Sequence, residues 1–160
     1  MAFNFLLRSK KYKFEILVFV IVLLLDQITK MLALKFLLPK GSISILPFFN
    51  LTYVENTGSA FGLFQNANLF LLVVSLMVLF LMIKWRKDIL CLGNLAKYGY
   101  LMIFAGALGN IYDRIFLGHV VDFLDFRIWP VFNIADSAIC VGAGFIALAI
   151  LKEKNKEIKK

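Results

Sequence analysis

The 160-residue chain is 61% hydrophobic and 15% aromatic, above the roughly half-apolar make-up of a soluble domain. Its 18 basic and 10 acidic side chains give a net charge of +8, and thirteen of the basic ones flank apolar runs. That placement speaks against a nucleic-acid patch and for a single membrane domain, residues 1–160, whose inner loops carry the positive charge.

In chain order, Arg8, Lys10, Lys11 and Lys13 form a basic lead. The apolar run that follows lacks a small-x-small cleavage site. It predicts an uncleaved span over Phe14–Phe36, entering from the cytoplasm. Its far end carries Asp26, Gln27, Thr29 and Lys30. Asp26 and Lys30 are four apart, share a helix face and can pair. Lys30 is also long enough to snorkel towards headgroups.

Residues 38–66 leave the helical pattern. Pro39, Gly41, Pro47, Gly58 and Gly62 punctuate them, and Ile43, Ile45, Phe49, Leu51 and Tyr53 alternate with other residues. That pattern predicts short strands and a loop outside the cytoplasm. Phe and Leu side chains of this segment are placed to close over a site. Within it, Asn56 reads either as a turn residue or as an amide that binds a substrate backbone or orients a carboxylate.

Residues 67–83 predict a second span returning inward, followed by a basic inner loop over 84–97. Residues 98–117 predict a third span, with Ala105, Gly106, Ala107 and Gly109 suited to close helix packing. Asn110, Asp113 and Arg114 fall three and four apart near its outer end. An Asp113–Arg114 pair is expected there as scaffold, since guanidinium offers a fixed fork to a carboxylate.

A second outer loop, 118–133, leads to a fourth span over 134–151, with Gly142 and Gly144 as further close-packing positions and a basic inner tail. The predicted fold is therefore an α-helical membrane protein with four transmembrane helices, a small extracytoplasmic β-containing segment and both termini cytoplasmic. Cys91 and Cys140 set no disulfide framework, and Cys140 is expected to pack as a small hydrophobe.

The chemistry concentrates in residues 105–136, which hold Asp113, Asp122, Asp125, Asp136 and the chain's single histidine, His119. Carboxylates beside bilayer-type segments are costly and suggest function. His119 has no His/Cys cluster around it at zinc spacing and reads as interfacial. Asp125 reads as exposed. Asn133 and Asp136, three apart, resemble a helix-capping arrangement, and a first-turn carboxylate suits the helix dipole. A re-entrant loop can bring Asp122 back against Asp136, where two close carboxylates share a proton. Such a dyad needs no metal or cofactor. Two other readings stay open on the residues alone. One is a magnesium-dependent phosphotransferase or phosphatase acting on lipids; the other is a small non-enzymatic transporter or assembly factor.

Five motifs in order then resemble one family, the lipoprotein signal peptidases (signal peptidase II), intramembrane aspartic proteases of bacteria. They are DQITK at 26–30, ENTGSAF at 55–61, GALGNIYDR at 106–114, GHVVDF at 118–123 and FNIADS at 132–137. The resemblance covers nearly the whole chain. It implies a catalytic pair of Asp122 and Asp136. It also implies supporting roles for Asp26, Lys30, Asn56, Gly58, Asn110, Asp113, Arg114, Asn133 and Ala135. It further implies an aspartic endopeptidase with no cofactor and no metal, a monomer in the bacterial cell membrane with its site towards the extracytoplasmic face. The implied substrates are diacylglyceryl-modified prolipoproteins, cut before the lipidated cysteine. The implied partners are membrane lipids and globomycin-type inhibitors, with no nucleic acid. Ser59 stands where the family more often has alanine, and the segment between the two aspartates is short.

Overall fold

The computed structural model describes residues 2–58 and 67–158. It is mostly helical with one small antiparallel sheet, in the order α1 (Ala2–Phe36), β1 (Ser42–Leu46), β2 (Phe49–Asn56), α2 (Asn68–Lys84), α3 (Arg86–Cys91), α4 (Asn94–Phe116), β3 (Val120–Asp125), α5 (Ile134–Ile158). The basic lead continues the helix of the first apolar run, since α1 begins at Ala2. Among the described residues, two segments are long and apolar enough to cross a membrane, Phe14–Phe36 and Ile134–Lys156. α2 is shorter at 17 residues, and α4 carries polar residues through its outer half. Apolar side chains face outward along α1 from Phe14 onward, among them Ile16, Leu24 and Met31. Such a surface belongs in lipid rather than water.

Three differences from the sequence reading position the site. The inner loop contains the short helix α3, whose Ile89 and Leu90 pack against a cluster built on Leu79, Met82, Tyr100, Ala107 and Ile111. The second outer segment is not simply a loop, because it supplies β3. β2 lies between β1 and β3, with Val54 opposite Asp122 and Asn56 opposite Val120. The run VVDFLD hides this strand. Its Val120, Val121, Asp122 and Phe123 are all buried, so no in–out alternation marks it. Val121 and Phe123 join Ala33 and Leu37 in a second core cluster that seats the sheet on α1. Finally, a Cβ at Gly144 would meet nothing within 4 Å, so this glycine is not a close-packing residue.

Gly99, Gly106 and Gly142 do bring α4 and α5 into backbone contact. A Cβ on Gly99 would lie 2.5 Å from the Gly142 carbonyl oxygen, and one on Gly142 would lie 2.6 Å from that of Gly99. Nearer the site, a Cβ on Gly106 would lie 2.5 Å from the carbonyl oxygen of Ala135, in the first turn of α5. Backbone cannot retreat there as a flexible side chain would. Gly106→Ala is therefore expected to cost about 1–3 kcal/mol as an overpacking change, read as a lower midpoint of thermal unfolding in detergent. An unchanged midpoint would contradict this contact.

Candidate active site

The site is built at the C-terminal ends of α1 and α4 and the N-terminal end of α5, against β2 and β3. After β3 the chain turns and comes back. The Phe132 carbonyl oxygen accepts from Phe123 N and Leu124 N at 3.0 and 2.8 Å, and Phe132 N donates to the Leu124 carbonyl at 3.1 Å. This return delivers Asn133 to Asp122 and starts α5 beside the strand.

Asn133 then touches both aspartates. Its Nδ2 donates to Asp122 Oδ1 at 2.7 Å. Its Oδ1 accepts from Asp136 N at 2.8 Å, and its own N donates to Asp136 Oδ2 at 3.4 Å. The last two bonds form a reciprocal capping box, so one residue caps α5 and couples the two carboxylates. Asn110 holds Asp136 from the other side, Nδ2 to Oδ1 at 2.8 Å. Asn56 Nδ2 donates to Asp122 Oδ2 at 2.8 Å, while Asn56 Oδ1 accepts from Gly58 N at 3.1 Å. Both readings of Asn56 therefore hold at once.

Beneath these lies a buried ionic cluster. Lys30 is 2% exposed. It points inward rather than to the headgroups. Its ammonium lies 2.9 Å from Asp26 Oδ2 and 2.8 Å from Asp113 Oδ2, and it donates to Asn110 Oδ1 at 2.8 Å. Its three protons match three acceptors. The expected Asp113–Arg114 pair is replaced by this Lys30–Asp113 bridge. Adjacent helical residues do not face each other, and Asp113 looks across to α1. Arg114 Nη1 instead reaches the Asn110 carbonyl at 3.4 Å. Its Nε is buried and has no hydrogen-bond partner among the described residues, as is true of His119 Nε2 and Asn68 Oδ1.

The two buried carboxylates each grip a backbone N–H, one just before Asp136 and one just before Asp122. Asp26 Oδ1 accepts from Ala135 N at 2.9 Å, and Asp113 Oδ2 accepts from Val121 N at 3.3 Å. Gly109 leaves room for this, since a Cβ there would collide with the Asp26 carboxylate. Asp125 is not free in solvent. It accepts from Thr52 Oγ1 and from Arg127 N, both at 2.8 Å, and so fixes the turn in which Arg127 takes a φ of 65°. The Asn50 amide, oriented to satisfy both its groups, accepts from Arg127 Nε and Nη2 at 3.0 and 2.8 Å.

Burial pushes the Asp122 carboxyl up to about 7, and the nearby Asp136 charge adds to the rise; Asn56, Asn133 and Lys30 pull the other way. Beside Asp136 lies an apolar groove of about 500 Å³, lined by Phe126, Ile128, Trp129, Phe132, Asp136, Ser137 and Cys140. Cys140 thus lines an open groove and is exposed, contrary to the packing role expected of it. Ser59, Phe61, Leu63 and Phe64, part of the segment expected to close over the site, lie outside the described residues.

Gln27 carries no site role on the sequence alone, yet it enters the ionic cluster. Its Nε2 donates to Asp26 Oδ2 at 3.1 Å and to Asp113 Oδ1 at 3.2 Å. Its place between Asp26 and Lys30 is the available signal, but an amide carries no charge to draw attention.

The profile of the signal peptidase II family (peptidase A8) matches residues 18–152. A lipoprotein signal peptidase of Thermodesulfovibrio yellowstonii is 46% identical over 153 residues, covering 92% of this chain and 98% of that protein. One of Caldanaerobacter subterraneus subsp. tengcongensis is 48% identical over 134 residues, covering 80% and 89%. A solved structure described as a bacterial membrane enzyme, determined by the in meso method at 2.3 Å, superposes with a TM-score of 0.79 at 32% identity, covering 92% of this chain and 93% of that one.

Proposed function

The chain belongs to the signal peptidase II family, and from that premise we propose that it removes the signal peptide from diacylglyceryl-modified prolipoproteins, cutting before the lipidated cysteine with Asp122 and Asp136. The observation that carries the mechanism is Asn133, whose one side chain bonds Asp122 Oδ1 and the N–H of Asp136. This ties the two carboxylates to each other at the mouth of an apolar groove.

The resting dyad holds one proton. Asp136 sits in the first turn of α5, where the helix dipole favours the anion, so it serves as base. Asp122, pushed up to about 7, serves as acid. Asp136 takes a proton from water as the oxygen attacks the scissile carbonyl, and Asp122 gives its proton to the carbonyl oxygen. The tetrahedral intermediate then collapses. Asp136 gives the proton it took from water to the nitrogen of the lipidated cysteine as the C–N bond breaks, Asp122 takes back a proton from the hydroxyl as the carbonyl re-forms, and the signal peptide departs as the new carboxyl end. Arg114, whose Nε has no partner among the described residues, is a donor left over for substrate carbonyls. The groove beside Asp136 suits the apolar part of the substrate.

The supporting layout is one membrane domain with four spans, over Phe14–Phe36, 67–83, 98–117 and 134–151. Both termini are cytoplasmic and the site faces outward, in the bacterial cell membrane. The enzyme acts as a monomer among membrane lipids, and globomycin-type peptides occupy the same site.

The deciding experiment incubates purified protein in detergent, with EDTA, with lipidated and unlipidated prolipoprotein. Cleavage of the lipidated form alone is expected. Loss of activity in EDTA, or equal cleavage of both forms, would overturn the reading. Activity also needs the proton on Asp122. The rate should therefore fall as pH rises through about 7. Asn56→Ala removes a donor that favours the ionised form, so its alkaline limb should move to higher pH. A limb that stays or moves down would rule out this assignment of the acid.

A further inference from the structure

Asp26 and Asp113 are both buried, 0% and 2% exposed, and one ammonium, that of Lys30, lies against both. Two carboxylates sharing one cation repel each other, and in a low-dielectric site that repulsion is poorly screened. The Gln27 amide is the neutral group that donates to both, at 3.1 and 3.2 Å. It also reaches the Gly109 carbonyl at 3.4 Å. Asp26 and Asp113 in turn hold Ala135 N and Val121 N, the peptide groups preceding Asp136 and Asp122. Any spreading of the two buried carboxylates is therefore passed to the backbone on which each dyad residue is carried.

We infer that Gln27 is a positioning residue for the dyad: its bridge between Asp26 and Asp113 sets the separation of the β3 and α5 segments that carry Asp122 and Asp136. This rests on the dyad reading above. The opposing role is packing alone, because Gln27 also lines an apolar groove of about 600 Å³ between α1 and α4 with Leu24, Met31 and Tyr112. Methionine separates the two roles. It keeps the volume of glutamine and removes both donors.

The test measures kcat and KM of Q27M, Q27E and L24A on diacylglyceryl-modified prolipoprotein, per amount of protein that elutes folded in detergent. Losing an orienting partner of this kind costs about tenfold or more, so Q27M should lose about tenfold in kcat with KM unchanged. Q27E, which brings a third carboxyl group between two others, should lose more. L24A, on the same groove, should match wild type. Wild-type kcat in Q27M overturns the inference, as does an equal loss in L24A, which would trace the effect to groove packing. If Asp122→Asn and Asp136→Asn are inactive while Q27M is not impaired, this inference fails alone. If either Asn variant cleaves fully, the dyad reading fails first.

Discussion

Asp122→Asn and Asp136→Asn are each expected to slow signal-peptide release by about 10⁴-fold, the scale seen when a carboxylate of a catalytic unit is neutralised. The two losses should not add, because in the proposed mechanism one proton is shared and either change ends the exchange. Asparagine keeps the size of each side chain. Asp136→Asn retains an oxygen for the Asn133 N–H and the Asn110 amide to share. Asp122→Asn replaces a carboxyl whose ionisation is opposed by burial. Both proteins should therefore accumulate in membranes while uncleaved lipidated precursor builds up beside them. The measurement is the precursor-to-mature ratio with equal enzyme levels. Full maturation by either variant would remove the dyad from the mechanism.

Lys30→Met is expected to damage the fold as well as the reaction. It leaves Asp26 and Asp113 buried without their cation, and stranding a buried charge costs about 3–5 kcal/mol. That is a large part of the about 5–15 kcal/mol that holds a typical protein folded. The protein should unfold at markedly lower temperature in detergent, or fail to accumulate. Lys30→Arg should rescue poorly, because a planar five-donor fork does not replace a compact ammonium whose three acceptors lie at 2.8–2.9 Å. Adding Asp113→Asn to Lys30→Met should restore part of the stability by removing one stranded charge. A Lys30→Met protein as stable as wild type would show that the cluster is held by something other than this ammonium.

Local signals in the sequence announce much of this. Apolar runs bounded by lysines mark the helices. The alternation of Ile43, Ile45, Phe49, Leu51 and Tyr53 points to β1 and β2. The i,i+4 spacing of Asp26 and Lys30 announces their pair, and the three-residue spacing of Asn133 and Asp136 announces the cap. What stays hidden depends on distant partners. Asp113 has an arginine next in sequence, yet its cation is Lys30 on another helix. β3 is buried along most of its length, so it lacks the two-residue rhythm of a half-exposed strand. Gln27 gains meaning only where two carboxylates from different helices flank it. Asp125 looks solvated until Thr52 arrives from β2.

The helix α2 buries only Leu79 and Met82 among its described residues, and no aspartate, lysine or amide of the ionic cluster comes from it. It serves as a return cable between the two halves of the chain, while α1, α4, α5 and the sheet form the machine. Tolerance to change should be correspondingly uneven. Random apolar replacement of the lipid-facing positions of α2 should leave a working enzyme in most clones. The same treatment of the outer half of α4, where Gly106, Gly109, Asn110 and Asp113 each meet a specific atom, should leave almost none. A designer wishing to lengthen, label or tether this enzyme would find α2 the place to start.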